Sequence, residues 1–279
     1  MTAVLIIIGI LALVMLISAV DCWLNIDVTE YEEKLPGIKS SVKIVCISDL
    51  HGWRYGRENE RLIELIKAQS PDVLVIAGDM LTRRASKRMV ARMLAVMEKL
   101  TELAPVYYAM GNHEADYMAE HGTKWLDDVA NTGAFVLYDS IEDVHIGESI
   151  IRIGGASGRY FDKSERDEIT YKMLREIGTS SVPSVAVIHQ PENLLWRSDR
   201  TGWSADLYLC GHNHGGVWRI PGIGGVMSPA EGLFPKYDKG RFGTDDNIPF
   251  IINGGLSGYY FIPRVFNHPE ICVIELREK

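Results

Sequence analysis

Along this chain, short unbroken apolar runs alternate with segments whose apolar positions recur every three to four residues. VKIVCIS (42–48) is β-branched and continuous, the mark of a strand covered on both faces. Between Glu58 and Gln69, Leu62, Ile63, Leu65 and Ile66 share one side of a helix. DVLVIAG (72–78), introduced by Ser70-Pro71, predicts a second strand, residues 84–103 a long helix closed by Pro105, and PVYYAMG (105–111) a third strand. A helix through Trp125 and strands near 134–138 and 150–154 follow. Then come SVAVIH (184–189), ADLYLCG (205–211), PFIING (249–254) and ICVIEL (271–276). This β-α-β-α order predicts an α/β sandwich with its helices outside the sheets.

The first residues break that rhythm. Ala3 to Val20 reads AVLIIIGILALVMLISAV, without a charge. As a helix it would extend roughly 27 Å, just enough to cross a hydrocarbon core. A cleaved signal peptide calls for a basic start and a shorter apolar stretch; no Lys or Arg precedes this run and no Ala-x-Ala site follows it. A lipoprotein signal needs a small residue before Cys22, where Asp21 stands. Residues 1–22 are therefore expected to be an uncleaved single-pass anchor, with a signal peptide as the alternative, 23–41 a linker and 42–279 one domain. No Lys or Arg lies close to either flank, so the positive-inside rule has little to act on. A short N-terminal tail translocates less readily than a signal-anchored domain, and the bulk of the chain is expected outside the cytoplasm.

Composition narrows the function classes without choosing one. The 279 residues, 47% hydrophobic and 24% charged, describe an ordinary globular chain. A net charge of −8 argues against a nucleic-acid groove, which calls for clustered Lys and Arg. Cys46, Cys210 and Cys272 lie inside apolar runs, as small buried hydrophobes do, and no CxxC spacing occurs.

The chemistry collects where the strands end. The first strand finishes on Ser48-Asp49-Leu50-His51, the second on Gly78-Asp79, and the third on Gly111-Asn112-His113-Glu114. SVAVIH ends at His189, and ADLYLC runs into Gly211-His212-Asn213-His214-Gly215-Gly216. Each cluster alone reads equally well as a helix cap or a polar turn. Five strands finishing this way is another matter, because ligands of open α/β sheets gather at the carboxyl ends of strands. His121, His145 and His268 have no such placement and read as surface or core residues. Mixed carboxylate, amide and imidazole donors suit Mn, Fe or Zn better than Mg or Ca. Seven donors are too many for one tetrahedral zinc, whereas two ions sharing a bridging carboxylate would use them all.

Asp-x-His, Gly-Asp, Gly-Asn-His-Glu, a lone His and Gly-His-x-His, in that order, resemble the calcineurin-like metallophosphoesterases over residues 42 to about 276. Within that superfamily the chain is similar to the YkuE/YaeI-like phosphohydrolases, through its N-terminal apolar segment, SDLHG, GHNHGG and the GLFPKYDKG stretch at 232–240. The resemblance implies a four-layer α/β/β/α sandwich with a dimetal centre at one edge. It implies Asp49, His51 and His214 on one ion, Asn112, His189 and His212 on the other, and Asp79 bridging. His113 would face the leaving group as general acid while a metal-bridging hydroxide attacks phosphorus. Phosphoprotein phosphatases continue Gly-Asp with a second aspartate that orients the catalytic histidine. Thr82 stands there instead, so a His–Asp dyad and a phosphoprotein substrate are not expected.

Substrate is less legible. Arg54 and Arg57 are candidates for meeting a second phosphate or a diester arm, with a solvated loop as the alternative; Trp53, Tyr55, Tyr259, Tyr260 and Phe261 are candidate walls for an apolar group. The expectation is a monomeric, membrane-anchored, Mn-dependent enzyme, with Fe or Zn also suited. It would act on phosphodiesters or pyrophosphates, lipid-linked or envelope-derived ones being favoured by the anchor. A phosphomonoesterase, a catalytically silent metal-binding module and a metallopeptidase or amidase are the alternatives, the last without support from any His-Glu-x-x-His helix.

Overall fold

The continuous apolar runs become strands buried at nearly every position, flanked by helices that bury one stripe each. A computed structural model describes residues 1–158, 165–196, 202–259 and 262–279; Tyr260 and Phe261 lie outside the described residues. In chain order the first half contains α1 (Thr2–Leu24), β1 (Asp27–Leu35), β2 (Val42–Ile47), α2 (Glu60–Ala68), β3 (Val73–Ala77), α3 (Lys87–Thr101) and β4 (Val106–Ala109). It continues with α4 (Asn112–His121), α5 (Lys124–Ala130), β5 (Phe135–Leu137), β6 (Ser140–Ile146) and β7 (Ser149–Gly155). The second half adds α6 (Glu165–Glu176), β8 (Ser184–Val187), α7 (Pro191–Leu195), β9 (Leu207–Cys210), β10 (Gly240–Gly243), β11 (Pro249–Ile252) and β12 (Glu270–Glu278).

Two six-stranded sheets result, in the orders β1-β12-β2-β3-β4-β5 and β10-β11-β9-β8-β7-β6. Strands β2 to β5 are mutually parallel, as are β7, β8, β9 and β11. Between the sheets lies a layer formed from both, including Ile44, Val75 and Ala109 on one side and Ile153, Val187 and Leu209 on the other. The first sheet's outer face packs on α2, α3 and α5 through Leu62, Met93, Met97, Trp125 and Val129. The second sheet's outer face packs on α6 and α7 through Leu174, Ile177 and Leu194. This is the four-layer α/β/β/α sandwich, and it turns the carboxyl ends of β2, β3, β4, β8 and β9 to one edge.

The stretch 23–41 is not a linker. β1 pairs in parallel with β12 from Asp27↔Glu270 to Leu35↔Glu278, and Leu35 and Ile38 reach the core between the sheets. Its sequence, DVTEYEEKL, is polar because it forms a sheet edge. Even its buried Glu33 is used, accepting two hydrogen bonds from Arg241 on the edge strand of the other sheet.

Helix α1 is long and apolar enough to cross a membrane. Residues 1–17 are exposed, while Ser18 and Cys22 are buried against the domain. Ser18 Oγ accepts from the Phe266 amide (2.7 Å), and His268 joins Asp21 (2.9 Å) to Asp27 (3.0 Å). The last turns of the helix are therefore fastened to the domain. His268, read from sequence as a plain surface or core residue, is one of the fasteners.

Candidate metal centre

All seven donor residues expected from the sequence meet at the sheet edge, with His113 beside them. Asp49, His51 and His214 form one close group, Asp79, His189 and His212 another, and His51, Asp79 and His113 a third that overlaps both. Asp79 Oδ2 lies 3.1 Å from His189 Nε2 and 3.7 Å from His51 Nε2; Asp49 Oδ1 lies 3.6 Å from His214 Nε2 and 3.9 Å from His189 Nε2. Asn112 lines the same cleft as Asp79, His113, His212 and His214.

Each carboxylate uses one oxygen to brace its neighbours. Asp49 Oδ2 accepts the His212 amide (3.0 Å), and Asp79 Oδ1 accepts the His113 amide (2.8 Å). The other oxygens turn inward. Three imidazoles have the same polarity: Nδ1 lies against a backbone carbonyl, of Leu81 for His51 (3.0 Å), of Ala77 for His189 (2.6 Å) and of Ser257 for His214 (3.4 Å). A carbonyl at Nδ1 leaves Nε2 as the basic nitrogen, the tautomer a metal needs. His212 is turned the other way, its Nε2 3.3 Å from Glu192 Oε1.

Whether this set fits metal ions is answered by its orphans. Asp49 Oδ1 and Asn112 Oδ1 are buried and have no hydrogen-bond partner, and His189 Nε2, equally buried, faces the Asp79 and Asp49 carboxylates. Buried polar atoms left unpaired are costly and rare, and buried oxygen acceptors without donors are what a cation satisfies. The electrostatics agree. Burial opposes ionisation of Asp49, yet His214, His189 and His51 hold it well below the usual carboxylate range. Burial would lower His189, but Asp79 and Asp49 lift it above the usual imidazole range. Protons here stand in for positive charge that a bound metal would supply permanently. Farther from the two carboxylates' combined reach, burial wins and pushes His113 down to about 4 and His214 to about 3.

The sequence missed several braces. Glu114, fully buried, accepts the amides of Asp79 (2.8 Å), Leu81 (2.7 Å) and Gly111 (2.9 Å), clamping the ends of β3 and β4 together. Burial and then the Asp79 charge push its carboxyl up to about 7 against those three bonds. Arg264, also buried, donates to the carbonyls of Ser257, Gly254 and Gly255, fixing the loop that backs Asp49 and His214. Within GLFPKYDKG, the Tyr237 carbonyl accepts from Asn213 Nδ2 (2.6 Å) and Asp238 accepts from Arg219 and the Gly225 amide, so the stretch braces the Gly-His-x-His loop from outside. The proximity of Glu114 to Asn112 in sequence and the presence of the GLFPKYDKG stretch were the available signals; nothing local pointed to Arg264.

Thr82, in place of a dyad aspartate, contacts Met89 Sδ at 3.7 Å. The Arg83 amide instead donates to His113 Nδ1 (3.1 Å), leaving Nε2 directed at Asp79 Oδ2, 4.0 Å away. Arg54 and Arg57 are exposed and line neither cleft beside the centre. The chain turns away from the centre after buried Tyr55, and the Arg57 amide is held by Glu60 at the start of α2. Arg83 and Arg84 occupy the cleft wall instead.

The calcineurin-like phosphoesterase family model matches residues 42–216, which contain every donor and the strands that carry them. The chain belongs to that family. Its members are metal-dependent phosphoric ester hydrolases, and the relatives found span animals and bacteria. A Danio rerio transmembrane protein with metallophosphoesterase domain is 27% identical over 98% of this chain, which spans only 62% of that relative's length. Phosphodiesterase YaeI of Escherichia coli is 24% identical, over 84% of this chain and 82% of its own. The Bacillus subtilis metallophosphoesterase YkuE is 24% identical, over 90% and 86%.

Proposed function

We propose that this calcineurin-like phosphoesterase is anchored in a membrane by α1 and cleaves a phosphodiester or pyrophosphate with water. The observation that carries this reading is the buried, unpartnered oxygens Asp49 Oδ1 and Asn112 Oδ1, with His189 Nε2 turned to the Asp79 and Asp49 carboxylates, beside two clefts. Asp49, His51 and His214 would hold one ion, Asn112, His189 and His212 the other, with Asp79 between; Mn is expected, and the donor set also suits Fe or Zn. Bound there, two ions supply Lewis-acid charge to the phosphoryl oxygens and lower the pKa of water. One chain contributes every donor, which supports action as a monomer.

The chain's own residues do the orienting. Two cavities of about 500 and 490 Å³ flank the centre and share Arg83, His113, His214 and Tyr259. Space on both sides of the reacting position favours a substrate with two arms, such as a diester, over a terminal monoester. The designation of YaeI as a phosphodiesterase points the same way. Because the Arg83 amide occupies His113 Nδ1, the ring proton sits on Nε2, facing the centre. His113 thus presents a hydrogen bond to the departing oxygen, a narrower role than full proton transfer. The domain is placed outside the cytoplasm in this reading, which a reporter fused after Lys279 and active only in that compartment would check.

The test uses the full chain in detergent micelles with Mn²⁺, comparing bis-p-nitrophenyl phosphate with p-nitrophenyl phosphate. The diester is expected to turn over faster, and Asp79→Asn to abolish metal-dependent cleavage, a loss of about 10²-fold or more. Preference for the monoester would make the chain a phosphomonoesterase. Two bound metals without turnover of either would make it a silent module.

A further inference from the structure

Beside the cleft that holds His51, His113 and His214 lies a third cavity of about 370 Å³, within the size range of small-molecule sites. One wall is the membrane helix, through Leu16, Ala19, Val20 and Trp23; the opposite wall is the domain, through Tyr55, Leu256 and Pro263. Trp53 and Gly258 line both cavities, so the apolar cavity and the catalytic cleft share a wall at those two residues. Trp53 is 40% exposed, a large indole standing between them without being buried by either.

Depth fixes where this cavity opens. Residues 1–17 of α1 make no burial against the domain, and as a helix they extend roughly 25 Å, slightly less than a ~30 Å hydrocarbon core. The fastened turns at Ser18 and Cys22, and the cavity beside them, therefore sit where acyl chains meet headgroups. Ser18–Phe266 and Asp21–His268–Asp27 hold the helix so that the cavity stays formed. A polar handle is present as well: buried Arg264 lines the cavity, and its Nη1 has no hydrogen-bond partner.

We propose that the cavity between α1 and the domain receives a hydrocarbon chain of the substrate directly from the bilayer, the chain passing Trp53 so that the attached phosphoester reaches the metal centre. The substrate class is then a phosphodiester or pyrophosphate amphiphile. Arg264 Nη1 donates to an ester or hydroxyl oxygen near the head of the chain. This rests on the phosphohydrolase reading above, and its test separates the two.

Full-length protein in mixed micelles is given methyl p-nitrophenyl phosphate and hexadecyl p-nitrophenyl phosphate, diesters that differ only in the chain. The hexadecyl ester is expected to have the higher kcat/KM by about tenfold or more. Ala19→Trp, which fills the cavity from the helix side, should bring that ratio back towards one; a ratio unchanged by the substitution overturns the proposal, since micellar partitioning alone would then explain it. Separately, a phosphatidylglycerol bearing a diazirine in one acyl chain is photolysed in the same micelles and its adducts mapped. Adducts on Tyr55, Leu256 or Pro263 support the cavity even if neither ester is hydrolysed, in which case only the phosphohydrolase reading fails. Adducts confined to residues 1–24 overturn the cavity even if hydrolysis is brisk.

Discussion

Asp49, His51, Asp79, His212 and His214 all have positive φ, between 47° and 73°. Left-handed backbone costs a residue with a side chain on the order of 1 kcal/mol or more, and its concentration at one sheet edge marks a constellation held against local preference. Something must hold it. Glu114 is one such support, because its two oxygens take the amides of Asp79, Leu81 and Gly111. Glu114→Ala leaves three buried N–H groups without acceptors, and a loss of about 3 kcal/mol is expected in thermal or denaturant unfolding. Glu114→Gln keeps one carbonyl oxygen and should lose less; equal losses would mean that shape rather than hydrogen bonding is what Glu114 contributes. Gly111 is the matching constraint. A Cβ there would stand 2.0 Å from Asp79 Oδ1. Gly111→Ala is expected to displace the Asp79 carboxylate and weaken metal retention by about 10–100-fold, read as metal content after dialysis.

At the scale of elements, the parallel strands deliver the donors and the edges complete the sheets. β1 covers the open side of β12 over nine residue pairs, and Leu35 and Ile38 fill the layer between the sheets. A chain beginning at residue 42 should therefore fail to give soluble, cooperatively unfolding protein. One beginning at residue 25 should fold, because it loses only the contacts of α1. Circular dichroism melts of the two distinguish a true edge strand from an appended tail. The β-α-β-α rhythm and the core strands were legible because strands buried on both faces must be apolar throughout. β1 was not, since half of an edge strand faces water and reads like a linker. Nor was α4: Gly111-Asn112-His113 looked like a strand terminus, and the helix that starts there depends on Glu114 capping its first turn.

For the whole molecule, the centre joins two sheets that meet through the apolar layer and through bridges such as Glu33–Arg241 and Asn253–Cys46. Metal held by Asp49 and His51 from one sheet and by His189, His212 and His214 from the other would tie them together. Loading with Mn²⁺ well above its dissociation constant is expected to raise the melting temperature by about 5 °C or more, and a chelator to reverse it. No shift would mean that the ions bind a frame already closed without them.

Which residues converge at the candidate centre was largely readable from the chain itself, because metal-ligand side chains come from a short chemical list and parallel strands bring their carboxyl ends to one edge. The N-terminal apolar helix was readable for a similar reason: eighteen residues without a charge have the length and composition to cross a hydrocarbon core. Tertiary structure alone decided what holds those side chains and what lies around them. The amide on His113 Nδ1, the Glu114 clamp, the Arg264 loop, the displacement of Arg54 and Arg57 by Arg83 and Arg84, and the cavity against α1 all join residues far apart in sequence. Local pattern carries no trace of such contacts, since they depend on which elements the packing of the two sheets makes neighbours.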